Sequence, residues 1–444
     1  MAADPLTFFG DRVIVHAGDC LEVMQGLSEN SIDSIVCDPP YHLASIVKRF
    51  GAEDAAEAKS NGATGVYKRA SSGFMGQRWD GGDVAFDDRT WARVLRVLKP
   101  GGHLVAFGAP KNVHRLTCAI EDGGFEIRDQ LSYMFGTGFP KSHSVALDFE
   151  RQLCENSGGN WRYRDDGVVM ARRPPFRSPE ASEWYGWGTA LKPAIEPIVL
   201  ARKPVEGTVA ENVAKYGTGA ININACLIET DEDLAGGAYA ESGNRQISPS
   251  LSPTGMNVPG KVAPGGYVQP SGRWPANVLH DGSEEVVASF PESTGSGPER
   301  TLQRSGGLRE DGWGMNAEAA DEAALRDAGT GSAARFFYSA KADADDRLGS
   351  KHPTVKPVDL MRYLCRLITP PGGTILDPFA GTGTTGEAAF YEGFNALLIE
   401  RQPEYIVDIE RRMKLIMSGP DERRRESIKA KKLPADDGPL FGGT

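Results

Sequence analysis

Three features of this 444-residue sequence predict an α/β fold whose doubly wound sheet is assembled from both ends of the chain. The N-terminal third alternates short apolar runs with segments of helical spacing. Gly381-Thr382-Gly383-Thr384-Thr385-Gly386 lies between a strand and a helix and matches G-x-G-x-x-G, a loop that lets a ligand approach the backbone closely. Only 44 residues follow Glu400, the acidic residue that closes the next strand. That is too few for the remaining βα units, so the missing strands must be the N-terminal ones.

Arg12 to His16 is a short strand ending at Gly18-Asp19, and Leu21, Met24 and Leu27 give one apolar face to a helix from Cys20 to Leu27. Ser31 to Cys37 is a strand halted by Asp38-Pro39-Pro40, because proline donates nothing to a ladder. Residues 43 to 85 are polar and rich in Gly and Ala, the composition of a long mobile loop. Trp91 to Leu98 is spaced as an amphipathic helix stopped by Lys99-Pro100-Gly101-Gly102. Strands at His103 to Phe107 and Gln130 to Phe135 flank a helix from Asn112 to Ile120, and Ala194 to Ala201 closes this series.

From about 204 to 335 Gly, Pro, Ser and Asn replace the apolar runs, while Trp274 and Trp313 argue against complete disorder. This stretch reads as a loop-rich insertion. Regular structure resumes with a helix from Val358 to Leu367 and a strand, Thr374 to Leu376, that feeds the glycine loop. A helix from Thr385 to Tyr391, a strand from Asn395 to Ile399 and a helix from Pro403 to Ile416 follow. The tail, with Arg423-Arg424-Arg425 and Lys429-Ala430-Lys431-Lys432, is charged and reads as frayed.

A net charge of -11 weighs against nucleic acid as a partner, since neutralising phosphates needs Lys and Arg. Basic residues do recur locally, at Arg172, Arg173 and Arg177, at Arg202 and Lys203, and at Lys341, Arg347 and Lys351. Any one such cluster reads as ordinary solvated surface. The six cysteines have neither C-x-x-C pairing nor zinc spacing, so neither disulfides nor a metal are expected. No apolar run reaches the length of a membrane span, and the N-terminus lacks the regions of a signal peptide. The expectation is a soluble cytoplasmic protein without a membrane partner.

Asp38-Pro39-Pro40-Tyr41 resembles the catalytic motif of amino-group DNA methyltransferases, the enzymes that modify N6 of adenine or N4 of cytosine. Asp377-Pro378-Phe379-Ala380-Gly381-Thr382-Gly383 resembles their S-adenosyl-L-methionine loop. With the catalytic motif first and the cofactor loop last, the chain looks like the β class, and Trp184-Tyr185-Gly186-Trp187-Gly188 with Glu196-Pro197 resembles its phage and prophage members. The aromatics of that last stretch read as core or interface packing.

The resemblance implies a circularly permuted, Rossmann-like methyltransferase sheet. Its first five strands would be those at 374-376, 395-399, 12-16, 32-37 and 103-107, with 130-135 and 194-201 as a final antiparallel pair. The chain would divide into catalytic parts at 1-204 and 336-418, a target-recognition insertion at 205-335 and a flexible tail at 419-444. Double-stranded DNA is the implied partner. A homodimer and a cognate restriction nuclease are left open.

The resemblance also implies a catalytic set of Asp38, Pro39, Pro40 and Tyr41. The exocyclic amino group is a weak nucleophile because its lone pair is delocalised into the ring. The Asp38 carboxylate and the Pro39 carbonyl can bond both its hydrogens, moving the nitrogen toward tetrahedral geometry and stabilising the charge that develops. Tyr41 offers a face for a flipped base, where stacking is worth roughly 1–3 kcal/mol per base, comparable to the cost of flipping. Seen alone, D-P-P is also a common turn starter.

The implied cofactor-binding set is Asp19, Cys20, Thr354, Lys356, Asp377, Phe379, Gly381, Gly383, Thr384, Thr385 and Glu400. Glu400 would bond the ribose hydroxyls, Asp19 the adenine amino group of the cofactor, and Thr354 and Lys356 would border its carboxylate. Asp19 serves equally as the N-cap of the helix after it.

Adenine-N6 methylation is the leading expectation and cytosine-N4 methylation the nearest alternative. A glutamine-side-chain methyltransferase would resemble N-P-P-Y, whereas residue 38 is Asp. An NAD-dependent oxidoreductase would leave D-P-P-Y unexplained. A catalytically silent DNA-binding protein would be expected to have lost Asp38 or the glycines.

Overall fold

The computed structural model describes residues 4–41, 84–136, 138, 142–156, 176–230, 272–293, 331–340, 344–350 and 355–432. Nearly all of the loop expected at 43 to 85, much of the insertion and Thr354 lie outside them.

The strands of the main sheet are β1 (Leu6–Phe8), β2 (Val13–Ala17), β3 (Ile32–Cys37), β4 (Leu98–Phe107), β5 (Glu126–Met134) and β6 (Ile195–Arg202). They continue with β7 (Val278–His280), β8 (Tyr338–Ser339), β9 (Thr374–Asp377) and β10 (Asn395–Glu400). The helices that position the site are α1 (Cys20–Gly26), α2 (Asp88–Val97), α3 (Val113–Asp122), α4 (Val209–Tyr216), α5 (Val358–Ile368), α6 (Thr384–Tyr391), α7 (Pro403–Leu415) and α8 (Pro420–Lys432).

Among the described residues the sheet order is β1-β2-β10-β9-β3-β4-β6-β5-β7-β8. Strands β2, β10, β9, β3 and β4 are parallel, and β6 runs antiparallel to both β4 and β5. Both ends of the chain therefore build one sheet, in the permuted order expected. Every residue of β3 is buried, as a strand covered on both faces requires. One apolar layer packs Leu360, Leu364, Ile409 and Met413 of α5 and α7 on one face; the other packs Met24, Trp91, Val94 and Leu116 of α1, α2 and α3 on the opposite face.

Several differences from the sequence reading have local causes. Strand β4 begins at Leu98, not His103, because Ile32 pairs with Leu98 and Ser34 with His103 while the residues between form a bulge. Asn212 and Thr218 bind the Pro100 carbonyl at the bulge, so part of the supposed loop-rich insertion is a helix docked on the sheet. That helix, α4, starts at a Thr208–Glu211 capping box.

Strand β7 joins the sheet beside β5, and β8 pairs with β7, though each is too short to show a period. Helix α8 occupies the segment read as a frayed tail; its Arg423 reaches buried Glu387 of α6 at 2.6 Å. Trp184, Tyr185 and Trp187 are 39%, 47% and 61% exposed, so they are not core residues. Arg202 pairs with Glu126 and Lys203 caps the Leu95 and Leu98 carbonyls, which makes that basic pair structural.

Candidate active site

Strands β9 and β3 are adjacent and parallel, with Ile375 opposite Ser34 and Leu376 opposite Ile35. They meet where the winding of the sheet reverses, the place where doubly wound sheets open a crevice beyond their C-terminal strand ends. The chain leaves β9 at Asp377 and β3 at Cys37, so the glycine loop and Asp38 emerge side by side. Glu400 ends β10, and Gly18-Asp19 follows β2 on the same edge. A cavity of ≈ 220 Å³ results, lined by Asp19, Cys20, Asp38, Pro39, Pro40, Tyr41, Lys356, Asp377, Phe379, Gly381, Thr384, Thr385 and Glu400, together with residues that the sequence did not single out.

Glu400 is held rigidly. Its Oε2 accepts from the Gly381 N–H at 2.8 Å and its Oε1 from the Gln402 N–H at 2.7 Å. Burial raises its pKa, and these backbone bonds oppose the rise. Each carboxylate oxygen keeps a lone pair for a further donor. Asp19 caps α1, with Oδ1 accepting from the Leu21 N–H at 2.9 Å, and it lines the cavity as well. Burial pushes the Cys20 thiol up to about 12, so it stays neutral.

Asp377 and Thr385 organise the loop. Thr385 Oγ1 donates to Asp377 Oδ2 at 2.5 Å and the Phe379 N–H donates to Asp377 Oδ1 at 3.0 Å. Gly383, expected in the cofactor-binding set, is not among the residues that line the cavity. It starts α6 with φ +78, and a Cβ there would stand 3.1 Å from Ile409 of α7. The second glycine of the fingerprint is thus required by helix packing and by its left-handed backbone.

Lys356, expected to border the cofactor carboxylate, lines the cavity and is tied to the catalytic motif. Its Nζ lies 3.1 Å from Asp38 Oδ2, 2.7 Å from Glu196 Oε1 and 2.9 Å from the Tyr41 hydroxyl, and 4.5 Å from the Phe107 ring centre. A lysine has three N–H donors, and all three are used, leaving none for the carboxylate of a cofactor. Burial opposes its charge, but the carboxylates of Asp38 and Glu196 outweigh that and hold its pKa above the ordinary value.

Asp38 is raised by burial and by Glu196, with Lys356 pulling the other way. Its Oδ1 is shielded from solvent and has no hydrogen-bond partner among the described residues. The Tyr41 hydroxyl donates to Glu196 Oε1 at 2.5 Å, and Asn112 Nδ2 donates to the Tyr41 carbonyl.

Glu196 and Asn112, which hold Tyr41, are among the residues that sequence reasoning missed. Glu196 stood in a quoted motif, yet no spacing rule connects the start of β6 with Asp38; only the antiparallel placement of β6 beside β4 does so. Asn112 precedes α3 and reads as a cap, although its side chain makes no capping bond.

A sheet of this order, with a glycine loop and an acidic strand end at its switch point, is the architecture of Rossmann-like cofactor-binding domains. The chain belongs to the N6/N4 DNA methylase family, whose pattern matches residues 32–411. The type II methyltransferase M.HindIII of Haemophilus influenzae is 25% identical over 230 residues, 48% of this chain and 65% of that protein. M.HinfI, also of Haemophilus influenzae, is 38% identical over 87 residues, 19% of this chain and 24% of that protein. The matches thus span 65% and 24% of those relatives' own lengths. The PvuII DNA methyltransferase, described as cytosine-N4-specific, aligns with a TM-score of 0.42 at 13% identity, covering 97% of this chain and 96% of that one.

Proposed function

We propose that the protein methylates the N6 amino group of adenine at specific sites in duplex DNA, with S-adenosyl-L-methionine as methyl donor. The observation that carries this reading is the unpartnered Oδ1 of Asp38 beside the glycine loop. A buried acceptor without a donor is costly, about 1–3 kcal/mol, and an incoming amino group would satisfy it.

The residues fit the cofactor. Glu400 keeps lone pairs for the ribose hydroxyls, Asp19 has a second carboxylate oxygen facing the same cavity, and the backbone at Phe379 to Gly381 lines its floor. When bound, S-adenosyl-L-methionine supplies a methyl group activated by its sulfonium charge. Asp38 Oδ1 and the Pro39 carbonyl would take the two amino hydrogens, turning the nitrogen lone pair out of the ring and stabilising its growing positive charge. The Tyr41 ring, fixed through its hydroxyl, would receive the base rotated out of the duplex. Residues 205 to 335 would read the flanking sequence.

Cytosine N4 offers the same pair of hydrogens, and D-P-P-Y favours adenine over it. Nucleoside mass spectrometry of unmethylated DNA incubated with protein and S-adenosyl-L-methionine separates the two. N6-methyldeoxyadenosine is expected; N4-methyldeoxycytidine would transfer the reading to cytosine, and no methylated nucleoside would overturn it.

A further inference from the structure

We infer that Glu196 is a positioning residue for methyl transfer, whose negative charge divides the Lys356 ammonium between two carboxylates and so keeps Asp38 basic. This rests on the proposed methyl transfer to an exocyclic amine. Four groups meet at one point: Asp38 and Tyr41 from the loop after β3, Lys356 from the segment before α5, and Glu196 from β6. Lys356 and Glu196 are enclosed, with side chains 8% and 19% exposed. Glu196 takes the shorter ion pair, 2.7 Å against 3.1 Å to Asp38, and also accepts from the Tyr41 hydroxyl.

Two consequences follow from that geometry. The first is orientation: with Oδ2 engaged by Lys356, only Oδ1 of Asp38 is left to face an amine. The second is charge. One ammonium and two carboxylates sum to a net negative cluster, and the Tyr41 phenol, held above its ordinary pKa by burial and by both carboxylates, adds nothing at neutral pH. A lone Lys356–Asp38 pair would be neutral and would offer little to a nitrogen that becomes positive as it gains a methyl group. Among the described residues the other titratable groups facing Asp38 are Asp377 at the end of β9 and Cys37 at the end of its own strand, both shifted toward their uncharged forms by burial.

Glu196→Gln tests this, because the amide oxygen can still accept from Lys356 and Tyr41 while the charge is gone. Single-turnover methylation of DNA that the wild-type protein modifies should slow by about 10- to 100-fold. KM for DNA and affinity for S-adenosyl-L-methionine should hardly change. The acid limb of the rate should move to lower pH by about one unit, since removing the nearby negative charge makes Asp38 a stronger acid. Glu196→Asp keeps the charge and should leave the limb near its wild-type position. An unchanged rate and limb in the Gln variant, or an equal shift in the Asp variant, would overturn the inference while wild-type turnover left the proposed reaction standing. Should the Gln variant not fold, the Asp variant decides alone: a displaced limb there sinks the charge argument. Failure of the wild-type protein to methylate any DNA would instead remove the reading beneath it.

Discussion

Thr385 Oγ1 donates to Asp377 Oδ2 at 2.5 Å, tying the first turn of α6 to the strand that feeds the glycine loop. Burial nevertheless pushes the Asp377 carboxyl from its ordinary 3.8 up to about 7. For an acid whose folded pKa is raised, the favourable contribution is complete below the unfolded value and is lost as pH rises through the folded one. Asp377 therefore costs stability progressively between about pH 4 and pH 7. Asp377→Asn cannot ionise, so denaturant unfolding should lose less stability between pH 5 and pH 8 in this variant than in the wild-type protein. Equal losses would mean that Asp377 is charged in the fold.

Glu400 joins two backbone N–H groups and is left with lone pairs that face the cavity. Glu400→Ala should weaken S-adenosyl-L-methionine binding by roughly 10- to 100-fold, the loss of a hydrogen bond to a charged acceptor. Calorimetric titration against both S-adenosyl-L-methionine and NAD checks it. Tight NAD binding with no response to S-adenosyl-L-methionine would reverse the cofactor assignment.

Gly383→Ala should destabilise the protein by about 1–3 kcal/mol, because its backbone is left-handed and Ile409 stands where the methyl group would go. Cofactor affinity of the folded fraction should be close to wild type. A large affinity loss with unaltered stability would return Gly383 to the ligand-binding set.

Arg412 and Glu387 pair at 2.6 Å with both side chains 1% exposed, and Arg412 Nε also donates to the Thr382 carbonyl of the glycine loop at 2.8 Å. Arg412→Ala leaves the buried Glu387 carboxylate with Arg423 as its remaining ion partner and removes the bond to the Thr382 carbonyl, and should cost about 1–3 kcal/mol. Chemical denaturation measures it. A loss below 1 kcal/mol would mean that Arg423, the other arginine on Glu387, carries the network by itself.

The sheet was legible in the sequence because its parallel strands carry short apolar runs such as Val13-Ile14-Val15, Leu104-Val105-Ala106-Phe107 and Ala396-Leu397-Leu398-Ile399, and β3 and β9 each lead into a proline-containing motif. Asp38 and Glu400 were legible because chemistry restricts the residue types at strand ends. Glu196 was not, since a glutamate at the start of an outer strand has no local signature. For Lys356, sequence distance indicates the glycine loop but not its ion pairs with Asp38 and Glu196, which only the fold brings together. The helix α8 was hidden by its charge, because a helix docked through Arg423 on a buried glutamate lacks an apolar stripe. Strands β7 and β8 were hidden by brevity.

In the proposed reaction Asp38 acts on the amino group and has no part in holding the cofactor. The most direct test is Asp38→Ala assayed twice, by calorimetry for S-adenosyl-L-methionine and by base-resolved sequencing of DNA exposed to the protein. Near wild-type cofactor binding is expected, with no methylated base at the sites that the wild-type protein marks. Methylation at those sites by the Asp38→Ala protein would contradict it.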